Sequence, residues 1–199
     1  NPVSVVDTIP PTVLIVSPED GSVSLHSDQL TIHTEVQDSE SGLAEVKMRF
    51  DGEVISEDTV DLFFKTLGTH IIQVDAQDLS GNATSASNTI QVVATFESTI
   101  ADVERAYELG WILKKSSKHS ILNTLERAVK ITKRIEFLEE KLPGKPKVIK
   151  RIEKLEKRLD RVLGQKIIEE IEKDYRKGLI TEAGYLLIKA DVEWLIGTP

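Results

Sequence analysis

A change of period near residue 95 constrains this chain more than any other feature. Before it, apolar and polar residues alternate: Leu30, Ile32, Thr34 and Val36 are interleaved with Thr31, His33, Glu35 and Gln37. A period of two places one face of a strand against a core. The same reading holds for Val46, Met48 and Phe50 and for Ile72, Val74 and Ala76, and strand cues cover Val13 to Val16 and Thr89 to Val93. Turn chemistry separates these runs at Glu19-Asp20-Gly21, Ser39-Glu40-Ser41-Gly42, Asp51-Gly52, Leu67-Gly68 and Ser80-Gly81-Asn82. About seven short strands at this spacing predict a two-sheet sandwich.

After Phe96 the period becomes helical. Ile100, Val103, Ala106 and Tyr107 share one face, and Ser98 or Thr99 is expected to cap the unpaired first-turn amides. Gly110 stops that helix, with Trp111 folding back for the accompanying apolar contact. A second helix is predicted from about Ser117 to Lys141, carrying Ile121, Leu125, Ala128, Thr132, Ile135, Leu138 and Leu142 on one side. Pro143-Gly144-Lys145-Pro146 breaks it, and Val148, Ile152, Leu155, Leu159 and Val162 then form a seam running back antiparallel. Gly164 is expected to kink or divide the helix there, and Ile167, Ile171 and Tyr175 continue the apolar line. Gly178-Leu179-Ile180 repeats the stop at Gly110-Trp111-Ile112, and Thr181 caps a last helix bearing Leu187, Trp194 and Leu195. The two stops read as a pair of ordinary glycine-terminated turns or as an internal duplication, the first being the simpler account.

Charge changes at the same place. Of the 25 Lys+Arg and 33 Asp+Glu, the residues up to Thr95 hold 3 and 15, leaving 22 and 18 for the rest, so an acidic half precedes a mildly basic one. With 40% hydrophobic and 29% charged residues the chain is globular, and no apolar run approaches the roughly 18 residues that span a bilayer. The absence of cysteine excludes disulfides, thiolate metal sites and cysteine nucleophiles. A start at Asn1-Pro2 without Met reads as a piece of a longer protein. The Lys/Glu/Ile-rich helices, lack of Cys and single Met fit a thermophilic source.

These residues carry two resemblances. Asp7-Thr8-Ile9-Pro10-Pro11, Asp38-Ser39-Glu40-Ser41-Gly42, Leu67-Gly68-Thr69-His70 and Asp78-Leu79-Ser80-Gly81-Asn82 resemble, in order, the bacterial Ig-like repeats of secreted enzymes and adhesins, over residues 7 to 94. The succession of helix, Gly-x-Ile, long helix, hairpin and closing Gly-x-Ile helix resembles the FIMAH-type helical domain at the C-terminus of secreted bacterial and archaeal proteins, over residues 96 to 196. Together they imply an α+β two-domain chain: a linker over 1–11, an immunoglobulin-like antiparallel β-sandwich over 12–95, and an antiparallel α-helical bundle with a long helical hairpin over 96–199.

Chemistry is sparse. His26 falls in a loop, His33 and His70 at strand positions expected to face solvent, and His119 at a helix start; no HExxH, GxSxG or phosphate loop is present. Catalytic residues are therefore expected to be none. Hard cations take several oxygens in one place, and Asp7, Asp38, Glu40, Asp78 and Asn82 fall in loops that a sandwich can gather at one end. Calcium is the small-ligand expectation. The competing account is turn residues bonding their own backbone, together with solubilising charge, since no EF-hand-type loop is present. Trp111 and Trp194 could stack on sugar rings, although both also fit buried helix positions. The basic run Lys145, Lys147, Lys150, Arg151, Lys154, Lys157, Arg158 and Arg161 could hold an anionic polymer, or form a solvated face paired with Glu153, Glu156 and Asp160, as in the i,i+4 pair Glu153–Lys157.

The functional expectation is a non-catalytic spacer, docking or interaction module from the C-terminal region of a larger secreted or cell-surface protein, such as a hydrolase. A carbohydrate-binding module is the alternative, followed by a calcium-stabilised adhesive repeat. Expected partners are the rest of the parent chain, a cell-wall or substrate polysaccharide or another surface protein, but not nucleic acid.

Overall fold

The computed structural model describes residues 7–197. The first part of the expected linker and the last two residues lie outside the described residues. The chain divides into two compact units, one ending at Val93 and the other starting at Ala94.

Nine strands form among the described residues of the first unit. They are β1 (Thr12–Ser17), β2 (Ser22–Leu25), β3 (Gln29–Thr31), β4 (His33–Gln37), β5 (Leu43–Phe50), β6 (Glu53–Ile55), β7 (Thr59–Asp61), β8 (Gly68–Asp78) and β9 (Ala83–Val93). A five-stranded sheet has the order β2-β9-β8-β5-β6, while β1 pairs with β4 and β3 with β7. Every pair is antiparallel except β2 with β9. The core joins Ile72 and Val74 of β8, Ile90 and Val92 of β9 and Phe50 of β5 to Ile15 of β1, Leu30, Ile32 and Val60. Apolar residues from both sets of strands thus bury one another, the arrangement that alternation demands. The count exceeds seven partly because Ile32 divides one predicted strand, its N–H donating to the Asp58 carbonyl at 2.7 Å, and partly because β2, β6 and β7, of three or four residues each, are too short to show alternation.

The second unit is helical: α1 (Phe96–Glu108), α2 (Lys115–Lys141), α3 (Pro146–Asp160), α4 (Ile168–Arg176) and α5 (Glu182–Gly197). A π-helical stretch, Arg161–Ile167, joins α3 to α4 and contains Gly164. The α2 stripe buries Ile121, Leu125, Ala128, Ile135 and Leu138 as predicted, and Ile131 in place of Thr132. The first cap differs from expectation. Thr95, in extended conformation, accepts from the Ser98 N–H through its hydroxyl, and the Ser98 hydroxyl accepts in turn from the Thr95 N–H, so α1 opens one turn earlier than Ser98 or Thr99 would place it.

Both glycine stops close as expected, with left-handed φ of 72° at Gly110 and 66° at Gly178. The Trp111 N–H reaches the Ala106 carbonyl at 2.8 Å and the Leu179 N–H the Asp174 carbonyl at 2.8 Å, the 6→1 bond of a Schellman turn in each case. The segments after them then pair: Ile112 bridges Ile180 in antiparallel fashion, Leu113 donates to Leu179 and Thr181 to Trp111, both at 2.8 Å. Two short stretches far apart in sequence hold the ends of four helices together.

Candidate functional site

The β4–β5 and β8–β9 turns are built by one device. In the first, Oδ1 of Asp38 accepts from the N–H groups of Glu40 and Gly42, two and four residues on. In the second, Oδ1 of Asp78 accepts from Ser80 at 2.9 Å and Asn82 at 2.8 Å, again two and four residues on. The Leu79 N–H donates to the Gly42 carbonyl at 2.9 Å and ties the turns together. Asp7 joins them from the start of the described chain, with Oδ1 accepting from Ile9 at 2.8 Å and Oδ2 from Ser41 at 3.2 Å.

The result is an acidic end of the sandwich. Carboxylate oxygens of Asp7, Asp38 and Asp78 lie within 4.8 Å of one another. Two oxygens bound to one calcium at about 2.4 Å can be no farther apart than about twice that distance, so the separation is compatible with a shared ion. Asn82 closes the group by donating from Nδ2 to Oδ2 of Asp78 at 2.7 Å and to the Asp7 carbonyl at 3.2 Å. Glu40 stands at the rim, and the negative charge of Asp7 beside it raises its carboxyl above the usual glutamate value. Asp78 is the most buried member, 1% exposed against 8% for Asp7. The arrangement can do two things chemically: order two turns through side chain-to-backbone bonds, and present carboxylate oxygens to a hard cation.

The remaining sequence candidates fall elsewhere. Trp111 is half-buried at the Gly110 stop, and Trp194 is half-buried on α5. His33 and His119 are exposed, the latter on α2. His70 corrects the expectation of a solvent-facing strand position. It is 4% exposed, stacks on Phe50 with ring centroids 5.2 Å apart, and binds Asp51 Oδ2 through Nδ1 at 2.6 Å and the Thr66 carbonyl through Nε2 at 2.7 Å. Its parity with Ile72, Val74 and Ala76 was the available signal. His26 is likewise buried, with Nε2 at 2.9 Å from the Lys65 carbonyl.

Asp102 of α1 and Asp191 of α5 were not singled out, yet both are fully buried in the helical unit. Each lies on its helix's buried stripe, among Thr99, Val103 and Ala106 or among Leu187, Ile188 and Val192. That spacing was legible. The Glu153–Lys157 pair, by contrast, is not among the ion pairs of the described residues.

Residues 11–92 match the family model described as a bacterial Ig domain. The sandwich is an Ig-like domain. No curated protein matches the chain. Among solved structures it is similar to the fibronectin(III)-like modules of Clostridium thermocellum CbhA, with 29% identity, TM-score 0.36, and coverage of 42% of this chain and 47% of that chain. It is also similar to the endo-beta-1,4-mannanase from Thermotoga petrophila, with 16% identity, TM-score 0.37, and coverage of 44% of this chain and 20% of that one. A third is the PKD1 domain of Vibrio anguillarum Epp, with 17% identity, TM-score 0.33, and coverage of 43% and 96%. The chain spans about half the length of the first and a fifth of the second. No helix among the described residues is long and apolar enough to cross a membrane.

Proposed function

We propose that this chain is a non-catalytic accessory segment from the C-terminal region of a larger secreted or cell-surface protein, such as a hydrolase, in which an Ig-like spacer or docking domain precedes a helical unit of the FIMAH type. The observation that carries the reading is the match of residues 11–92 to the bacterial Ig domain, joined to a second unit with its own buried core. Function in such folds belongs to grafted sites, not to the scaffold. The test is assay of the 199-residue chain against chromogenic glycosides, esters and peptides. No turnover is expected, and turnover that disappears on a single substitution would overturn the reading.

A second reading is favoured by one observation. Asp7, Asp38 and Asp78 converge with Glu40 at their rim, and Asp7 raises the Glu40 carboxyl by repulsion that a divalent cation would relieve. We propose on this basis that the Ig-like domain takes calcium at its acidic end, as a calcium-stabilised repeat would. A ligand that binds only the folded state raises the melting temperature with its concentration. Thermal melts in calcium and in chelator should therefore separate, and superimposed curves would leave the cluster as turn chemistry alone.

A further inference from the structure

The basic run of α3 is interleaved with acids in sequence but sorted from them in space. At about 100° per residue, every Lys and Arg from Lys147 to Arg161 falls within roughly one third of the helix circumference. Glu153, Glu156 and Asp160 occupy a separate arc, and Val148, Ile152, Leu155, Leu159 and Val162 fill the third. The apolar arc faces α2, on which α3 packs: Val148, Ile152, Leu155 and Leu159 are half-buried while the rest of α3 is exposed. The basic arc is exposed along its length.

Those cations are also unpaired. Among the described residues none of Arg151, Lys154, Lys157, Arg158 and Arg161 has an ion pair or side-chain hydrogen bond, although acidic residues lie on the same helix. Instead the five surround an open depression of about 490 Å³ whose one apolar lining residue is Leu155. Like charges gathered in this way raise the local potential, and a polyanion that displaces its own counterions onto them gains affinity that salt erodes.

We propose that this face of α3 is a binding track for an acidic polysaccharide, with arginines taking carboxylates in pairs of hydrogen bonds and lysines acting as point charges. The form of the site selects the polymer. Lys147 to Arg161 span about 20 Å of helix, a line of repeated charge matched by a polymer of repeated carboxylates. A protein partner would call for a broad apolar centre free of charge, whereas here the apolar surface is one leucine and the stems of lysines and arginines whose charged ends stand exposed around it. Single-stranded nucleic acid is held by aromatic stacking, and Pro143 to Arg161 contain no aromatic residue.

The choice of a polysaccharide rests on the extracellular accessory reading; the cationic track itself does not. The test measures binding of the 199-residue chain to immobilised polygalacturonate in chelator, at low and high salt, beside neutral dextran and single-stranded DNA. The parent chain should bind polygalacturonate at low salt and release it as salt rises. The variant Lys154→Gln/Arg158→Gln/Arg161→Gln should bind about tenfold more weakly or worse, because three modest charge interactions are removed together. The charge-matched variant Lys115→Gln/Lys133→Gln/Lys177→Gln, altered at exposed positions off the track, should keep its affinity. No binding at low salt, equal loss in both variants, equal retention on dextran, or tighter binding to DNA would each overturn the proposal. Turnover in the substrate panel would sink the accessory reading while leaving salt-dependent binding intact. Circular dichroism of both variants, altered only at exposed side chains, checks that the helices persist.

Discussion

Asp78 carries more of its turn than any neighbour, because one buried carboxylate answers three donors: the N–H groups of Ser80 and Asn82 and the side-chain amide of Asn82. Asp78→Ala removes an acceptor that is itself 1% exposed. Because Ser80 is exposed and Asn82 half-buried, water answers part of the loss, and the cost falls in the lower part of the range of about 1–3 kcal/mol for an unpaired buried group. A loss of about 1–2 kcal/mol is expected by chemical denaturation in chelator, and a larger loss in calcium, where the variant also forfeits a ligand of the ion. Asp78→Asn, which retains an oxygen acceptor, should lose less. Glu40 gives the opposite sign. Its folded carboxyl titrates above the ordinary 4.5 because Asp7 repels its charged form. The folded state therefore binds the Glu40 proton more tightly than the unfolded chain, and stability is lost as pH rises from below 4.5 through the raised value. Without calcium, Glu40→Gln should raise the melting temperature at neutral pH, and the gain should vanish in acid, where both states are protonated. With calcium present, the same substitution should weaken the calcium response if the carboxylate helps hold the ion. The turn residues at this end were legible from spacing. Their convergence depends on Asp7 reaching Ser41 across 34 residues, which no local pattern encodes.

The two Gly-x-Ile stops act as one element. Each is specified locally by a glycine that accepts positive φ, and each was readable for that reason. Their pairing through Ile112 and Ile180 was not, because a bridge between segments 68 residues apart leaves only a weak echo in sequence. The consequence falls on Gly184, near the start of α5. A Cβ there would sit 3.0 Å from the Trp111 carbonyl oxygen, 3.1 Å from Ile180 Cγ2 and 3.2 Å from Trp111 Cβ. Alanine favours helix over glycine by about 1 kcal/mol, but overpacking costs about 1–3 kcal/mol when the neighbour cannot yield. Here the nearest neighbour is backbone, held by the bond from Thr181. Gly184→Ala should therefore destabilise the helical unit, measured by denaturation followed at a helical circular-dichroism band; a gain in stability would show that the bridge yields. The sorting of charge on α3 teaches the same lesson in reverse: the residues were visible as a mixed run, and only helical geometry separates them into faces.

At the scale of the molecule, period, charge and core all change within a few residues. The sandwich buries Phe50, Ile72, Ile90 and Val92, while the helical unit buries Val103, Ile121, Leu125, Ile167 and Ile188, so each has an apolar core of its own. That division was legible because alternation and helical spacing are local signals; the exact start of α1 was not, because its cap is a reciprocal bond between Thr95 and Ser98. The cap decides where the chain can be cut. Separation before Ala94 leaves Thr95 with the helices and keeps both bonds, whereas separation after Thr95 removes the N-cap and exposes first-turn amides at a cost of about 1 kcal/mol. Fragments 1–93 and 94–199 should each fold, one with a strand spectrum and dispersed amide resonances, the other with a helical spectrum and a cooperative melt. Fragment 96–199 should melt lower than 94–199. If 94–199 proved no more stable than 96–199, the Thr95 capping box would not be what anchors α1.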